Sequence, residues 1–298
     1  MTAEALVLSR TSDDTARPLR SRRYKRETFL AFVSRWCVVI ALSVIFVGPV
    51  IFIALTAVMS NDQALTSQLW PHSWHWDNFG TVFRKAPLVR YFANTLLYAV
   101  LSTAFLLLSS IPAAYAMARL RWKGRNLAFL VVLTMMMLPP QVTTVPIYVL
   151  WSDLHMTGSL WPLILPNLFG DAFSIFLLRQ FFLTIPQDYA DAARIDGCSE
   201  FAVMRRVILP MAKPGIAATA MFSFFFAWND FYGPLLYTSE NPDQWTVSLG
   251  LANFKGLYQV QWNLTMAMTL LVMVPVVIVF FLAQKAFVEG VTLTGVKG

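Results

Sequence analysis

Six stretches of this chain, near residues 36–59, 94–118, 127–150, 160–182, 215–237 and 264–284, run for about twenty residues or more with almost no charge. A helix rises about 1.5 Å per residue, so each is long enough to cross the roughly 30 Å apolar core of a bilayer. The first, WCVVIALSVIFVGPVIFIALTAVM, and the last, LTMAMTLLVMVPVVIVFFLAQ, hold no charged residue, which argues against buried helices of a soluble domain. None shows the period-two alternation of a membrane strand. Composition agrees: 13% of residues are charged and 57% hydrophobic, where soluble domains carry about a quarter charged. The expectation is an all-α polytopic membrane protein with six transmembrane helices. The fourth stretch carries Pro162, Pro166 and Asp171, so its outer half is expected to be irregular or re-entrant.

Lysine and arginine set the orientation. With the N-terminus inside, nineteen fall on the inner side and only Arg84, Lys85, Arg90 and Lys255 on the outer side, so both termini are expected in the cytoplasm. Residues 1–35, with RPLRSRRYKRE, read as a basic cytoplasmic arm held near anionic headgroups, the first span as a signal anchor, and 291–298 as a cytoplasmic tail. Nucleic-acid binding is disfavoured because no fold accompanies the charge. Cys37 and Cys198 are expected to be free thiols. Trp70, Trp74 and Trp76 read as interfacial anchors. His72, His75 and His155 read as solvated loop residues, so no metal site is expected.

Phosphate-loop, nucleophile-elbow and zinc-protease motifs are missing, so the chain is not read as an enzyme. Within the spans the only acids are Asp171 and Asp230, a thin basis for the proton or ion relay of a secondary carrier. Trp228, Asn229, Asp230 and Tyr232 cluster in FFFAWNDFYGPLLYT, either lining a path for a hydroxylated solute or bonding helices together. Asn94, Asn167 and Asp171 carry the same two readings.

One segment departs from its neighbours. DYADAARIDGCSEFAVMRRVILPMAKP, residues 188–214, balances four acids against four bases. Acids in its first turns suit a helix start after Pro186, Gly197 suits a positive-φ stop, and Ser199 suits a second cap. A second helix near 199–209 would place Phe201, Met204 and Ile208 on one face. Zero net charge speaks against a headgroup-binding helix, a role that RLRWKGR (119–125, net +4) fits, and against a DNA-binding one. A docking element for a soluble partner remains.

This segment resembles the EAA loop of permease subunits of binding-protein-dependent ABC importers: Asp191-Ala192-Ala193, three residues, Gly197, then Ile208-Leu209-Pro210. Asp191 stands where the family usually has glutamate, a shorter arm with the same charge, and Cys198 stands where relatives often have a smaller residue. NTLLYAVLSTAFLLLSSIPAAYAMARLRWKGR, MMLPPQVTTVPIYVL, IFLLRQFFLTIPQDYADAARIDG, AWNDFYGPLLY and FVEGVTLTGVKG are similar to the carbohydrate-uptake branch. The resemblance implies a transmembrane domain over 36–290 with a coupling loop at 187–214, half of a translocation path for a carbohydrate or related polyol or phosphodiester. It implies a homologous second permease, two cytoplasmic ATPase subunits that hold the ATP and magnesium, and an extracytoplasmic solute-binding protein, in a bacterial or archaeal cytoplasmic membrane. Coupling would fall to Asp191, Ala192, Ala193, Asp196, Gly197, Phe201, Arg205, Leu209 and Pro210, with a second contact in the C-terminal EGVTLTGVKG. The rival expectation is an ion-coupled carrier acting alone; a third class is a scaffold or membrane enzyme without an ATPase.

Overall fold

The computed structural model describes residues 18–254 and 261–295, with side chains from 32 to 253 and from 261 to 284. Every regular element among them is helical. The chain divides into residues up to Leu55 and those from Thr56 onward.

The first unit holds most of α1 (Pro18–Ala57), a 40-residue helix that runs through Pro49. Residues 18–35 of the basic arm are therefore helical. Proline suits a first helical position, and the arginines, lysine and glutamate that follow are good helix formers. Residues 1–17 of the arm lie outside the described residues.

In the second unit, α2 (Asn61–Ala64) is capped by Ser60, and α3 (Asp77–Lys85) follows a loop of stacked tryptophans, Trp74 on Trp76 at 6.0 Å. The Asn78 amide donates to the carbonyls of Ala57 and Met59, both at 2.9 Å, and accepts from Asn263 at 3.2 Å. The long α4 (Leu88–Arg119) forms the centre of the bundle.

Span three departs from expectation. Instead of one helix over 127–150 there are α5 (Arg125–Met136) and α6 (Pro140–Asp153), bent by 93°. Pro139 takes an extended ψ of 128°, because a following proline disfavours the helical basin. At about 1.5 Å per residue neither half alone crosses the apolar core.

Span four is irregular at its start, as anticipated. It runs as α7 (Trp161–Ile164), a 3-10 turn (Leu165–Phe169) and α8 (Ala172–Thr184). Gly170 joins them at φ 86°, ψ 157°, a conformation open essentially to glycine alone. After the short helices α9 (Asp188–Ile195), α10 (Glu200–Val203) and α11 (Leu209–Met211) comes α12 (Lys213–Asn229).

Span five, expected as a continuous 215–237, stops at Asp230 and resumes as α13 (Tyr232–Thr238). Pro234 has no N–H for the carbonyl four residues back, and its ring would collide with it, so Asp230 turns extended. α14 (Val247–Phe254) and α15 (Trp262–Gly295) complete the chain. The last helix runs into the expected tail; 296–298 lie outside the described residues.

Four helical stretches among the described residues are long and apolar enough to cross a membrane: Phe32–Ala57, Leu88–Arg119, Trp161–Thr184 and Trp262–Gln284. α5 with α6, and Glu200–Met211 with α12, pass only as bent pairs. The charges of Glu200, Arg205 and Arg206 argue that the second pair is not one span, and that α12 continues instead through the Asp230 break into α13.

Packing falls into two main clusters. One gathers Tyr115, Leu178, Phe181, Phe182, Val203 and Ile208 from α4, α8 and residues 199–212. The other, toward the opposite end of α4, holds Leu88, Tyr91, Trp228, Val247 and Met268. Within a bilayer, where lipid is as apolar as these side chains, such clusters are held by close van der Waals packing rather than by removal from water. α12 approaches α8 closely through Gly215, where a Cβ would lie 2.4 Å from the Phe181 ring. Gly215→Ala is expected to lower the thermal midpoint of the detergent-purified protein through an overpacking cost of about 1–3 kcal/mol. Gly80→Ala, with nothing within 4 Å of the new methyl, should hold or raise it; equal midpoints would contradict this packing.

Candidate functional site

The charge-balanced segment folds into an elbow. α9 ends in a doubly bonded left-handed turn: Gly197 at φ 81° donates to Arg194 O at 3.0 Å, and Cys198 N donates to Ala193 O at 3.0 Å. Nothing lies within 4 Å of a Cβ built at Gly197, so conformation rather than space demands glycine. Ser199 then caps α10, its hydroxyl accepting from Ala202 N at 3.3 Å.

The second arm does not present the expected face. Phe201 is 66% exposed while Ile208 is fully buried. Residues Met204–Ile208 form a π turn, with Leu209 N reaching back to Met204 O. Pro210 denies a hydrogen bond to Arg206 O and crowds it, which fits a widened turn here. Five-residue spacing then buries Val203 and Ile208 together in the cluster shared with α4 and α8.

On the first arm Ala190 and Ala193 are buried against that cluster, whereas Ala192 faces outward with Asp191 and Asp196. Arg205, Arg206 and Pro210 are exposed and Leu209 is half-buried. The most exposed apolar side chain of the elbow is Ile195, at 87%, with Tyr189 also open. Both were missed in the sequence, where the EAA pattern drew attention to its own positions.

Asp191 is not a free acid. Arg194 bonds it at 2.6 Å and grips Glu200 through Nε at 2.7 Å, tying the two arms across the turn. Tyr115 of α4 donates to the other Glu200 oxygen at 2.9 Å. The hydrogen bond from Arg194 holds the Glu200 carboxyl below the usual carboxylate range, and Glu200 in turn raises Arg194. Arg119, 6% exposed at the end of α4, donates to Gln187 Oε1 at 2.8 Å and to the carbonyls of Phe182 and Ile185. These groups surround a cleft of about 460 Å³ between the elbow and α4.

A second cavity, about 590 Å³, opens between α4, span four and α12. It brings together Asn167, Asp171 and Asp230, three of the seven residues expected along a path. Asp230 accepts from Tyr98 at 2.9 Å and from Gly233 N at 3.0 Å, capping α13. Asp171 caps α8 through Ser174 N at 2.8 Å, and the Asn167 amide returns to Leu163 O at 2.9 Å. Ser102, Ser223, Phe173 and Phe222 add hydroxyls and aromatic faces that the sequence did not single out.

The other four expected path residues lie elsewhere. Asn94 donates to the carbonyls of Asp243 and Trp245, Trp228 is buried against Phe92 and Phe224, and Asn229 bonds Phe225 O within its own helix. Tyr232 is 56% exposed and does not line the cavity. Among the described residues, no three His, Cys, Asp or Glu side chains group to hold a metal.

Residues 110–293 match the family model for the inner membrane component of binding-protein-dependent transport systems, and the chain belongs to that family. It is 34% identical to an arabinooligosaccharides transport system permease of Halalkalibacterium halodurans, over 74% of this chain and 79% of that one. It is 32% identical to a diacetylchitobiose uptake system permease of Streptomyces coelicolor, over 86% and 94% respectively. Its fold is similar to that of a chain in the crystal structure of a bacterial ABC transporter that imports the acidic polysaccharide alginate, with a TM-score of 0.75, 20% identity, and coverage of 88% and 98%.

This is therefore a multi-pass inner-membrane permease subunit of an ABC importer, not a carrier acting alone and not itself an enzyme. Subunits of this family work with a partner permease, an ATPase and a solute-binding protein.

Because the Glu200 pKa is depressed on folding, the Arg194 latch is fully present above the unfolded carboxylate range, near about 4.3, and fades only as pH falls through the folded value. Protease protection of the Gly197 turn should thus stay constant from about pH 7.5 to about pH 5.5. Arg194→Gln should raise cleavage there by up to roughly fivefold, as expected for loss of a partly exposed ion-pair network. Constant cleavage in that variant would remove the latch.

Proposed function

We propose that this subunit forms half of a translocation path for a carbohydrate or a related polyol or phosphodiester, and that its elbow couples the path to ATP hydrolysis in two copies of a cytoplasmic ATPase. One observation carries the coupling role: the elbow is locked within itself and buried on one side in the core of α4 and α8, yet presents Ile195, Phe201, Ala192, Asp196 and two arginines outward. Such a shape receives a push on its open side and delivers it to the bundle without yielding. The solute class is supported by the arabinooligosaccharide, diacetylchitobiose and sulfoquinovosyl glycerol permeases among its relatives. A cavity that combines carboxylates, hydroxyls and phenyl faces suits hydroxylated rings.

In this reading six spans cross the membrane, the third, fourth and fifth each broken, and both termini face the cytoplasm with the elbow, as the nineteen-to-four division of basic residues favours. The solute arrives from an extracytoplasmic binding protein, and the C-terminal tail offers the ATPase a second contact. Asp191 acts by holding Arg194 and shaping the elbow, rather than as an unpaired charge offered to the ATPase.

Gly197→Pro, which cannot take a positive φ, and Asp191→Lys, which repels Arg194, are expected to lower solute uptake per ATP hydrolysed by roughly tenfold while the protein still inserts. Wild-type uptake in both would sink the coupling role. Asp230→Asn, measured with radiolabelled oligosaccharides, should shift the uptake KM by roughly ten- to hundredfold, the loss of one charged hydrogen bond. An unaltered KM and solute profile would count against the cavity as the path.

A further inference from the structure

We infer that Tyr115 and Arg119, in the last turn of α4, are positioning residues that convert movement of the elbow into movement of the membrane cavity. The inference rests on the coupling role proposed for the elbow and adds the route by which force leaves it.

The two residues hold different arms. Arg119 grips the entry to the first arm, spanning the carbonyls of Phe182 and Ile185 at the end of α8 and the side chain of Gln187 just before α9. Tyr115 grips the second arm through Glu200, the residue that Arg194 ties back to Asp191. One helix end therefore has a polar hold on each side of the Gly197 turn, and the arms cannot shift together without carrying α4.

Burial makes the hold firm. Arg119 is 6% exposed and Tyr115 4% exposed, with the tyrosine ring packed edge-on against Phe182 at 6.5 Å. A buried guanidinium released from its carbonyls would be left unpaired, so separation is strongly resisted. Two like attachments one helical turn apart also oppose rotation of the elbow about a single contact.

The far end of the same helix reaches the cavity. Tyr98 donates to Asp230 across the cavity wall, and Ser102 lines it. Between Tyr98 and Tyr115 lie about 26 Å of helix, hydrogen-bonded throughout apart from the one donor missing at Pro112. A tilt imposed at the elbow thus alters the α4 to α12 contact at which Tyr98 meets Asp230. The role differs from solute contact, because neither Tyr115 nor Arg119 lines that cavity.

The test uses the importer complex isolated with its native partner subunits through a tag on this chain, with Cys37 and Cys198 replaced by serine and a reporter introduced as Ser102→Cys. Labelling of the reporter by a methanethiosulfonate reagent is compared without nucleotide and after trapping with ATP and orthovanadate. In this parent the labelling rate is expected to change severalfold between the two states. Tyr115→Phe, which keeps the ring and removes one hydroxyl, should reduce that change toward unity, and Arg119→Lys should do the same. Glu200→Ala should match Tyr115→Phe, and the double variant should be no worse than either single one. An undiminished nucleotide effect in Tyr115→Phe, or additive effects in the double variant, would overturn the inference. Asp191→Lys separates the two readings: loss of the effect there but not in Tyr115→Phe overturns the α4 route alone. Absence of any nucleotide effect in the parent overturns the elbow's coupling role, and this route with it.

Discussion

A backbone that breaks its helix within a bilayer must satisfy the freed polar groups from within the protein, because lipid offers no partner. The second unit breaks its spans repeatedly, and at two of the breaks a carboxylate serves this need. Asp171 caps α8 after Gly170, and Asp230 caps α13 after α12 ends. These two acids, which look like candidates for an ion relay in a list of intramembrane charges, are also what allows the chain to bend. Both breaks lie beside the cavity, whose lining includes Asn167, Asp171 and Asp230.

At the other end of α4 the same constraint is met by Arg119. The last carbonyls of α8 lack the regular partner four residues on; Phe182 O takes only a long bond from Ile185 N at 3.4 Å, and the guanidinium adds a donor to it and to Ile185 O just past the helix end. Satisfying the helix end and attaching the elbow are one act. This explains why a charged residue can be almost fully buried beside phenylalanine and isoleucine, and why the elbow shares a core with the bundle rather than hanging from it by two strands of loop.

Much of this was legible in the sequence. Apolar runs gave the spans, the family motif marked the elbow, and the prolines of span four announced its irregular start. Other features were written in the chain but overridden by reading hydropathy alone: Pro139-Pro140 and Pro234 each break a helix whose apolar run continues through them. The face of the second elbow arm was misjudged because a π turn replaces the regular spacing, so Ile208 turns inward and Phe201 outward. Arg119 was counted as a loop charge, since its partners are backbone carbonyls more than sixty residues away, which no local pattern reveals. Asn94 and Asn229 suit either a path lining or helix bonding by residue type, and each spends its amide on nearby or facing carbonyls.

The Asn78 contacts carry a consequence for how the protein is made. Its amide binds the carbonyls at the end of α1, but its oxygen takes a hydrogen bond from Asn263, 185 residues later. Lys85, at the other end of α3, likewise meets Gln261, across a separation of 176. A chain emerging from the ribosome reaches these partners only when the start of α15 is synthesised, so α3 must wait through the insertion of the segments between them. α3 thus emerges long before its contacts can be completed, and its docking depends on the arrival of a helix made far later.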